Sequence, residues 1–313
     1  MRRAGFSPAA AGLSQNGGHR SPFMKQAVLL LAHGAPERVE DITEYLFYVR
    51  SGRPTPPALV EEVSDRYRQI GGGSPLLART REQAAALERE LGIPVYFGMR
   101  NWRPFIKDTV RQMAADGVER IVALCLAPQY SKASVGFYFR RVQEAKTEAG
   151  LTAEIVWTKT FHAHPLLIEA FAERLAPLLP TDRVLFTAHS LPERALEGGD
   201  PYAVEAKATA AAVALRAGLA NSDFAFQSQG FTEDKWLGPT VESRIDEYAA
   251  AGVHQMVLAP IGFVCDHVEI LYDVDIAFKN YARERGIALR RPESLNDSPT
   301  FARALAAVVR DRL

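Results

Sequence analysis

The feature of this sequence that most constrains its fold is a series of short motifs that occurs twice, with the motifs in the same order each time. At residues 32–37 and 188–193 the chain reads Ala-His-x-x-Pro-Glu, each time directly after a short apolar run. Each of these motifs is followed by a Trp that stands shortly before a Pro, at Trp102 and Trp236, and then by a Gly-Val pair. The shared order indicates two homologous halves that meet near residues 150–160.

Short apolar runs alternate with stretches of helical periodicity from Met24 onward. Buried β-rich runs separated by helices of this length indicate parallel βαβ units. The predicted strands are 27–32, 95–98, 121–126, 155–157, 184–188, 224–227 and 256–259. The predicted helices are 74–91, 105–116, 139–150, 165–178, 201–219, 240–251 and 298–313. We therefore predict an α/β fold of two Rossmann-like halves, 24–155 and 156–295, with parallel sheets flanked by helices and a cleft between them.

The composition excludes several classes of protein and partner. Lys and Arg number 37, as do Asp and Glu, so no global basic field attracts nucleic acid, and no apolar run approaches the roughly 20 residues of a membrane helix. Residues 1–23 begin with two arginines but are broken by Pro, Gly, Ser and Asn, so we expect a disordered tail rather than a signal peptide, with Met24 as an alternative start. We expect a cytoplasmic monomer without nucleic-acid partners or an integral membrane segment.

Ligands of open α/β sheets bind beyond the carboxyl ends of the strands, and both Ala-His turns hold that position. Two halves that face each other would place His33 and His189 on opposite sides of one cleft. An imidazole there can act as a base or as a metal ligand near neutral pH. The alternative is a histidine that only caps a strand–loop junction.

The segment 262–275 places one histidine and four carboxylates within ten residues. If a helix begins near Asp266, Glu269 and Asp273 lie four residues apart on one face. Two carboxylates so close repel, which raises a pKa unless a cation or a shared proton intervenes. Imidazole with carboxylate suits iron(II) or zinc. The alternative is a solvated acidic helix start, favoured by the helix dipole.

Two weaker candidates lie in the first half. The run Gly-Gly-Gly-Ser at 71–74 could hold a phosphate or a carboxylate at a helix N-terminus, or Ser74 could simply cap that helix. Arg50, Arg53, Arg66 and Arg68 flank a Pro-rich stretch. They are either solvated surface or a pocket for carboxylates, which arginine binds bidentately.

Together these residues resemble the ferrochelatase family, whose members insert iron(II) into a porphyrin, and most closely its coproporphyrin III type. The resemblance runs from Met24 almost to the C-terminus. The matching motifs are YRQIGGGSPL at 67–76, WRPFI at 102–106, APQYS at 127–131, AHSLP at 188–192, GDPY at 199–202, QS at 227–228, WLGP at 236–239 and the stretch 266–272.

The resemblance implies two chelatase-type halves around a porphyrin cleft, with a C-terminal helix, 296–313, packing back on the first half. His189 and Glu269 match the catalytic metal-site pair, and His189 is the expected acceptor of pyrrole protons. His267 and Asp273 match supporting positions. The positions that match porphyrin contacts are His33, Arg50, Arg66, Tyr67, Ser74 and Tyr138. Fe(II) is expected as a substrate, with no tightly bound cofactor, and Cys125 and Cys265 cannot supply the four thiolates of an iron–sulfur cluster.

The chain departs from the family pattern at two positions. His33 stands where coproporphyrin-type relatives often carry Tyr, and Ala277 stands where the acidic ladder usually continues with Glu. An imidazole binds haem iron more strongly than a neutral phenol does, so His33 could ligate the product axially. The alternative is a strand-end histidine bonded to backbone.

The loop from Leu46 to Ala58 bears on the choice of porphyrin. Relatives that take protoporphyrin IX from a membrane tend to carry an apolar lip there, whereas this loop contains Arg and Pro, which suits a substrate with four carboxylates. We predict a ferrochelatase that makes Fe-coproporphyrin III. The alternatives are insertion into protoporphyrin IX and a non-catalytic haem- or tetrapyrrole-binding protein, against which the presence of both His189 and Glu269 argues.

Overall fold

The computed structural model describes residues 24–230 and 234–313, so the predicted tail at 1–23 lies outside the described residues. The strands are β1 (Gln26–Ala32), β2 (Val95–Met99), β3 (Arg120–Cys125), β4 (Glu154–Thr158), β5 (Arg183–His189), β6 (Ser222–Gln227), β7 (Gln255–Pro260) and β8 (Ala288–Arg290). The helices are α1 (Ile42–Val49), α2 (Pro57–Gln69), α3 (Leu76–Leu91), α4 (Ile106–Ala115), α5 (Val135–Glu148), α6 (Pro165–Leu175), α7 (Tyr202–Arg216), α8 (Val241–Ala250), α9 (Lys279–Glu284) and α10 (Pro299–Arg310). A π-helix, Glu269–Phe278, precedes α9.

The strands form two parallel sheets of the same topology, β2-β1-β3-β4 and β6-β5-β7-β8. The turns after the edge strands also match. The Met99 amide donates to the Pro104 carbonyl at 2.7 Å, and the Phe226 amide donates to the Pro239 carbonyl at 2.8 Å. The predicted α/β fold of two Rossmann-like halves is therefore confirmed, and the internal repeat is visible down to individual hydrogen bonds.

One apolar cluster runs through both halves. Leu30 and Leu124 of the first sheet share it with Phe186 and Val257 of the second. Helix α10 packs against both α3 and α6, and Leu305 of α10 belongs to the same cluster. Because helices cover both faces of each sheet, the central strands are apolar along nearly their whole length. The predicted boundary between residues 155 and 156 falls inside β4, which pairs with β3 in the first sheet.

Helices α1 and α2 are absent from the sequence prediction, which treats residues 46–58 as one loop. The loop is in fact 50–56. Residues 42–49 are rich in β-branched and aromatic types, which favour strands when considered alone. The helix forms because one of its faces, Ile42, Tyr45 and Leu46, is buried against Tyr67 and Trp102. No helix in the described ranges is long and apolar enough to span a bilayer.

Candidate active site

A cavity of about 280 Å³ lies at the carboxyl ends of β1, β3 and β5, between the two sheets. Strand β5 ends at His189, and β1 ends one residue before His33. Both histidines line the cavity, as the strand-end argument predicts. The polar and aromatic residues of its lining include His33, Tyr45, Arg100, Gln129, Tyr138, His189, Tyr202, Phe263, His267 and Glu269.

His189 and Glu269 form the polar centre of one wall. Nδ1 of His189 lies 2.8 Å from Oε2 of Glu269. An ionised carboxylate only accepts hydrogen bonds, so Nδ1 carries a proton. In the neutral form of His189, Nε2 therefore holds the lone pair. The Tyr202 hydroxyl donates to the His189 carbonyl at 2.8 Å and fixes the end of β5. The side chains remain 35% and 32% exposed, so a bound molecule can reach both.

Their environment favours the charged forms of both groups. Burial lowers the pKa of His189, but the charge of Glu269 and its hydrogen bond outweigh burial, and the pKa rises. Burial acts to raise the pKa of Glu269, and the opposing effects of His189, His267 and His33 bring it down to about 2. At neutral pH Glu269 is therefore ionised, and His189 is a stronger base than an isolated imidazole.

Asp273 lies on the same π-helix as Glu269 but does not line the cavity. Burial and the charge of Glu269 raise the pKa of Asp273 to about 6. The repulsion between two neighbouring carboxylates is expected to shift the pKa in this direction. The Ser228 hydroxyl donates to Asp273, and Nη1 of Arg66 lies 3.9 Å from it. Ser228 has a φ of +60°, which is uncommon for a serine.

His33 stands on the opposite wall with both ring nitrogens engaged. Nδ1 lies 3.0 Å from the Gly34 carbonyl, and Nε2 lies 2.9 Å from Nδ2 of Asn101. Burial, and then the charge of Arg100, lowers the pKa of His33 to about 4. The bond to backbone is the alternative that the sequence left open. Axial ligation by His33 stays a prediction, although Nε2, the nitrogen it would use, already has Asn101 as a partner.

Gly34 makes this arrangement possible. Its φ is +84°, and a Cβ at this position would lie 2.7 Å from the backbone nitrogen of Trp102. Only glycine combines that backbone conformation with so close an approach. The chain therefore turns tightly after His33, and the ring remains beside the segment that follows β2.

His267 and Tyr138 also line the cavity, and their roles toward a substrate stay predictions. Nδ1 of His267 lies 3.1 Å from the Cys265 carbonyl, and its ring packs on Phe263 with centroids 4.8 Å apart. Burial lowers the pKa of His267, so this ring is neutral at pH 7. Tyr138 is 5% exposed and lies 5.4 Å beneath the guanidinium of Arg100.

Arg50 and Arg66 do not line the cavity, and their roles toward a substrate stay predictions. Arg50 ends α1, and its buried Nε has no hydrogen-bond partner in the described part of the chain. Arg66 is occupied within the protein. Its Nη2 lies 2.7 Å from Glu62, and its guanidinium lies 5.4 Å from the centre of the Tyr272 ring.

Tyr67 and Ser74 also lie outside the cavity lining. Tyr67 is 1% exposed and belongs to the aromatic cluster beneath Tyr45. The Ser74 hydroxyl accepts from the Leu76 amide at 3.3 Å, at the start of α3. A Cβ on Gly73 would come within 1.9 Å of the Glu37 carbonyl oxygen, so this glycine permits close backbone packing. The contacts of Tyr67 and Ser74 with a porphyrin stay predictions.

Sequence reasoning missed Arg100 and Asn101, which follow β2 directly. Arg100 lines the cavity, stacks 4.6 Å from the ring centre of Phe137 and has no carboxylate partner among residues 24–230 and 234–313. Its Nε donates to Oδ1 of Asn101 at 3.4 Å. The rule that located the two histidines, that functional residues follow parallel strands, would also have located this pair.

Two parallel sheets of this topology, with a polar cavity at the strand ends, form a two-half α/β fold that chelatases of known structure share. The sirohydrochlorin chelatase SirB from Bacillus subtilis subspecies spizizenii, solved with cobalt, matches with a TM-score of 0.60 at 14% identity over 92% of this chain and 95% of SirB. CbiX, the terminal enzyme of sirohaem biosynthesis in denitrifying bacteria, matches with a TM-score of 0.53 at 15% identity over 92% of this chain and 99% of CbiX. These likenesses establish the fold.

Sequence comparison identifies the family. The ferrochelatase family model matches residues 25–313. A ferrochelatase of Acidobacterium capsulatum is 47% identical over 92% of this chain and 95% of its own length. A coproporphyrin III ferrochelatase of Halalkalibacterium halodurans is 37% identical over 92% and 97%. The chain belongs to the ferrochelatase family, which confirms the resemblance drawn from its motifs.

Proposed function

We propose that the chain inserts Fe(II) into coproporphyrin III in haem biosynthesis. Membership of the ferrochelatase family supports metal insertion into a porphyrin. The observation that carries the proposal is the pair of His189 and Glu269, which presents a basic ring nitrogen and an ionised carboxylate to one cavity.

The pair suits both halves of the reaction. Insertion removes two protons from the pyrrole nitrogens while Fe(II) exchanges bound water for four nitrogen ligands. In the proposed reaction Nε2 of His189 accepts the two pyrrole protons one after the other and passes each to solvent, and Glu269 stabilises the imidazolium through Nδ1. The negative charge of Glu269 draws Fe(II) to the same wall, and imidazole with carboxylate is a donor set that Fe(II) accepts. Asp273, with a pKa of about 6, can hold a proton near neutral pH.

The two strand-end histidines have different proposed roles because their pKa values are shifted in opposite directions. The pKa of His189 is raised by Glu269, whereas that of His33 is lowered to about 4. His33 is therefore neutral at pH 7 and does not compete for pyrrole protons. When the surroundings of two titratable groups shift their pKa values apart, the difference indicates which of the two acts as the base.

Cations without a carboxylate partner in the described ranges support a substrate rich in carboxylates. Coproporphyrin III carries four carboxylates and protoporphyrin IX two. Arg100 has no carboxylate partner in the described ranges, and it also lines a second cavity of about 410 Å³. Lys107 lines that cavity too, whereas Arg141 there is paired with Glu144 at 2.9 Å. The buried Nε of Arg50 has no hydrogen-bond partner in the described ranges, and a contact of Arg50 with the porphyrin remains part of the proposal. Arginine binds carboxylates bidentately, which suits this assignment.

Insertion into protoporphyrin IX is the second candidate. Its support is that the relatives from Acidobacterium capsulatum and Herpetosiphon aurantiacus, at 47% and 41% identity, carry the general name ferrochelatase. On the sequence grounds given above, we further propose a cytoplasmic monomer with no tightly bound cofactor and no iron–sulfur cluster.

Anaerobic steady-state insertion of Fe(II) into the two porphyrins, measured side by side on one preparation, tests the proposal. We expect a higher kcat/KM for coproporphyrin III. A higher value for protoporphyrin IX would refute the substrate assignment and leave the reaction intact. Binding of both porphyrins without insertion into either would establish a tetrapyrrole-binding protein instead.

A further inference from the structure

The duplicated fold gives this protein two strand-end histidines whose surroundings can be compared position by position. The strand registers make His33 equivalent to His189. They also make Met99 of β2 equivalent to Phe226 of β6, so that Asn101 and Ser228, each two residues further on, occupy corresponding places. The two halves differ at this last position.

In the first half, a directional chain of hydrogen bonds fixes the His33 ring. The Gly34 carbonyl can only accept, so Nδ1 of His33 carries the proton. Nε2 then has only a lone pair, which accepts from Nδ2 of Asn101 at 2.9 Å. Oδ1 of Asn101 in turn accepts from Nε of Arg100 at 3.4 Å, which sets the orientation of the amide. Each donor in the chain meets an acceptor, and Asn101 is 4% exposed.

In the second half the equivalent contact is missing. The Ser228 hydroxyl donates to Asp273 instead, and His189 uses Nδ1 to donate to Glu269. Within the described ranges no group occupies Nε2 of His189. The same strand-end histidine is therefore available to a ligand in one half and blocked in the other.

We propose that Asn101 blocks Nε2 of His33 and thereby prevents this histidine from ligating the iron of the finished metalloporphyrin. The inference rests on the proposed function, since it concerns the product of metal insertion. It makes Asn101 a positioning residue, which acts through His33 and leaves the pyrrole chemistry to His189.

The chemical reason lies in the strength of an imidazole–iron bond. A neutral histidine is the usual proximal ligand of haem iron in binding proteins. An enzyme that bound its product in this way would release it slowly, and product release limits the turnover of many enzymes. A hydrogen bond that occupies the lone pair, with Gly34 and Tyr45 holding the ring from its other side, opposes that ligation.

The test is a comparison of visible absorption and electron paramagnetic resonance spectra of ferric coproporphyrin III bound to four proteins. These are the wild type, Asn101→Leu, His33→Phe, and the double variant Asn101→Leu/His33→Phe. Asn101→Ala serves as a second variant if leucine disturbs folding. Release of the iron porphyrin into an excess of a haem-scavenging protein is timed for each.

We expect no imidazole ligation from His33 in the wild type, so His33→Phe should leave the spectrum unchanged. Asn101→Leu should give an imidazole-ligated spectrum and release the iron porphyrin roughly ten-fold more slowly, the ratio expected for one lost hydrogen bond. The double variant should return to the wild-type spectrum and rate. A wild-type imidazole signature that disappears in His33→Phe would overturn the inference, as would an Asn101→Leu spectrum identical to that of the wild type.

Repeating the spectra with ferric protoporphyrin IX separates this inference from the substrate proposal. The effect of Asn101 concerns the metal, so the same spectral pattern is expected with either porphyrin. A protein that favours protoporphyrin but keeps the pattern would refute only the substrate assignment. Binding of coproporphyrin without the pattern would refute only the role of Asn101.

Discussion

Replacing Asp273 with Asn should make the folded protein more stable at pH 8, although it removes a carboxylate from the candidate site. Burial and the charge of Glu269 raise the pKa of Asp273 from 3.8 to about 6. One pKa unit corresponds to about 1.4 kcal/mol, so the ionised carboxylate costs the folded state on the order of 3 kcal/mol. The amide removes the charge, and its oxygen can still accept the hydrogen bond from Ser228.

The sign of the pH dependence follows from proton binding. Between about pH 4 and pH 6 the folded state holds a proton on Asp273 that the unfolded state has lost, so stability falls as pH rises through that interval. We expect Asp273→Asn to raise the free energy of unfolding by about 1–3 kcal/mol at pH 8 and by little near pH 4.

Urea unfolding followed by tryptophan fluorescence across this pH range provides the measurement. Asp275→Asn is a matched control, because Asp275 lies two residues away on the same π-helix but is paired with Arg291 at 2.7 Å. The control should lose stability at pH 8. Destabilisation by Asp273→Asn at pH 8, or a gain that does not vary with pH, would refute the reasoning and make Asp273 a structural hydrogen-bonding residue.

Two further predictions concern the reaction. Glu269→Gln should lower the pKa of His189, because the charge that raises it is lost, and insertion should slow by about 10²–10⁴-fold. The rise of kcat/KM with pH should therefore move to lower pH, and a profile that stays in place would contradict the assignment. Arg100→Gln should raise KM for coproporphyrin III roughly ten-fold, and less for protoporphyrin IX, since it removes a charged hydrogen bond. If KM rises equally for both porphyrins, Arg100 contacts a group that coproporphyrin III and protoporphyrin IX have in common.

The sequence predicts the framework well because strand-length apolar runs and repeated turns are local signals. The strands around the cavity and the positions of His33 and His189 follow from that pattern. Strand β8 was missed because it has only three residues, Ala288–Arg290, and no apolar run. The π-helix was missed as well, because its altered hydrogen bonding leaves no separate periodicity in the residue pattern.

The partners of the site residues depend on three-dimensional packing. His33 and His189 have the same sequence context, yet one bonds to Asn101 and the other to Glu269. Those partners are 68 and 80 residues away along the chain. Nothing in the local sequence distinguishes a blocked imidazole from an available one, so the roles of the two histidines could be assigned only from the folded structure.

The comparison of His189→Ala with His33→Ala tests the central claim most directly, because the two residues are equivalent in the repeated fold. Anaerobic insertion of Fe(II) into coproporphyrin III is measured for both variants and the wild type, with porphyrin binding followed separately. Loss of the general base should lower the rate of His189→Ala by about 10²–10⁴-fold while porphyrin still binds. His33→Ala should stay within about ten-fold of the wild type. Near-normal insertion by His189→Ala, or an equal loss in His33→Ala, would contradict the assignment of His189 as the acceptor of pyrrole protons.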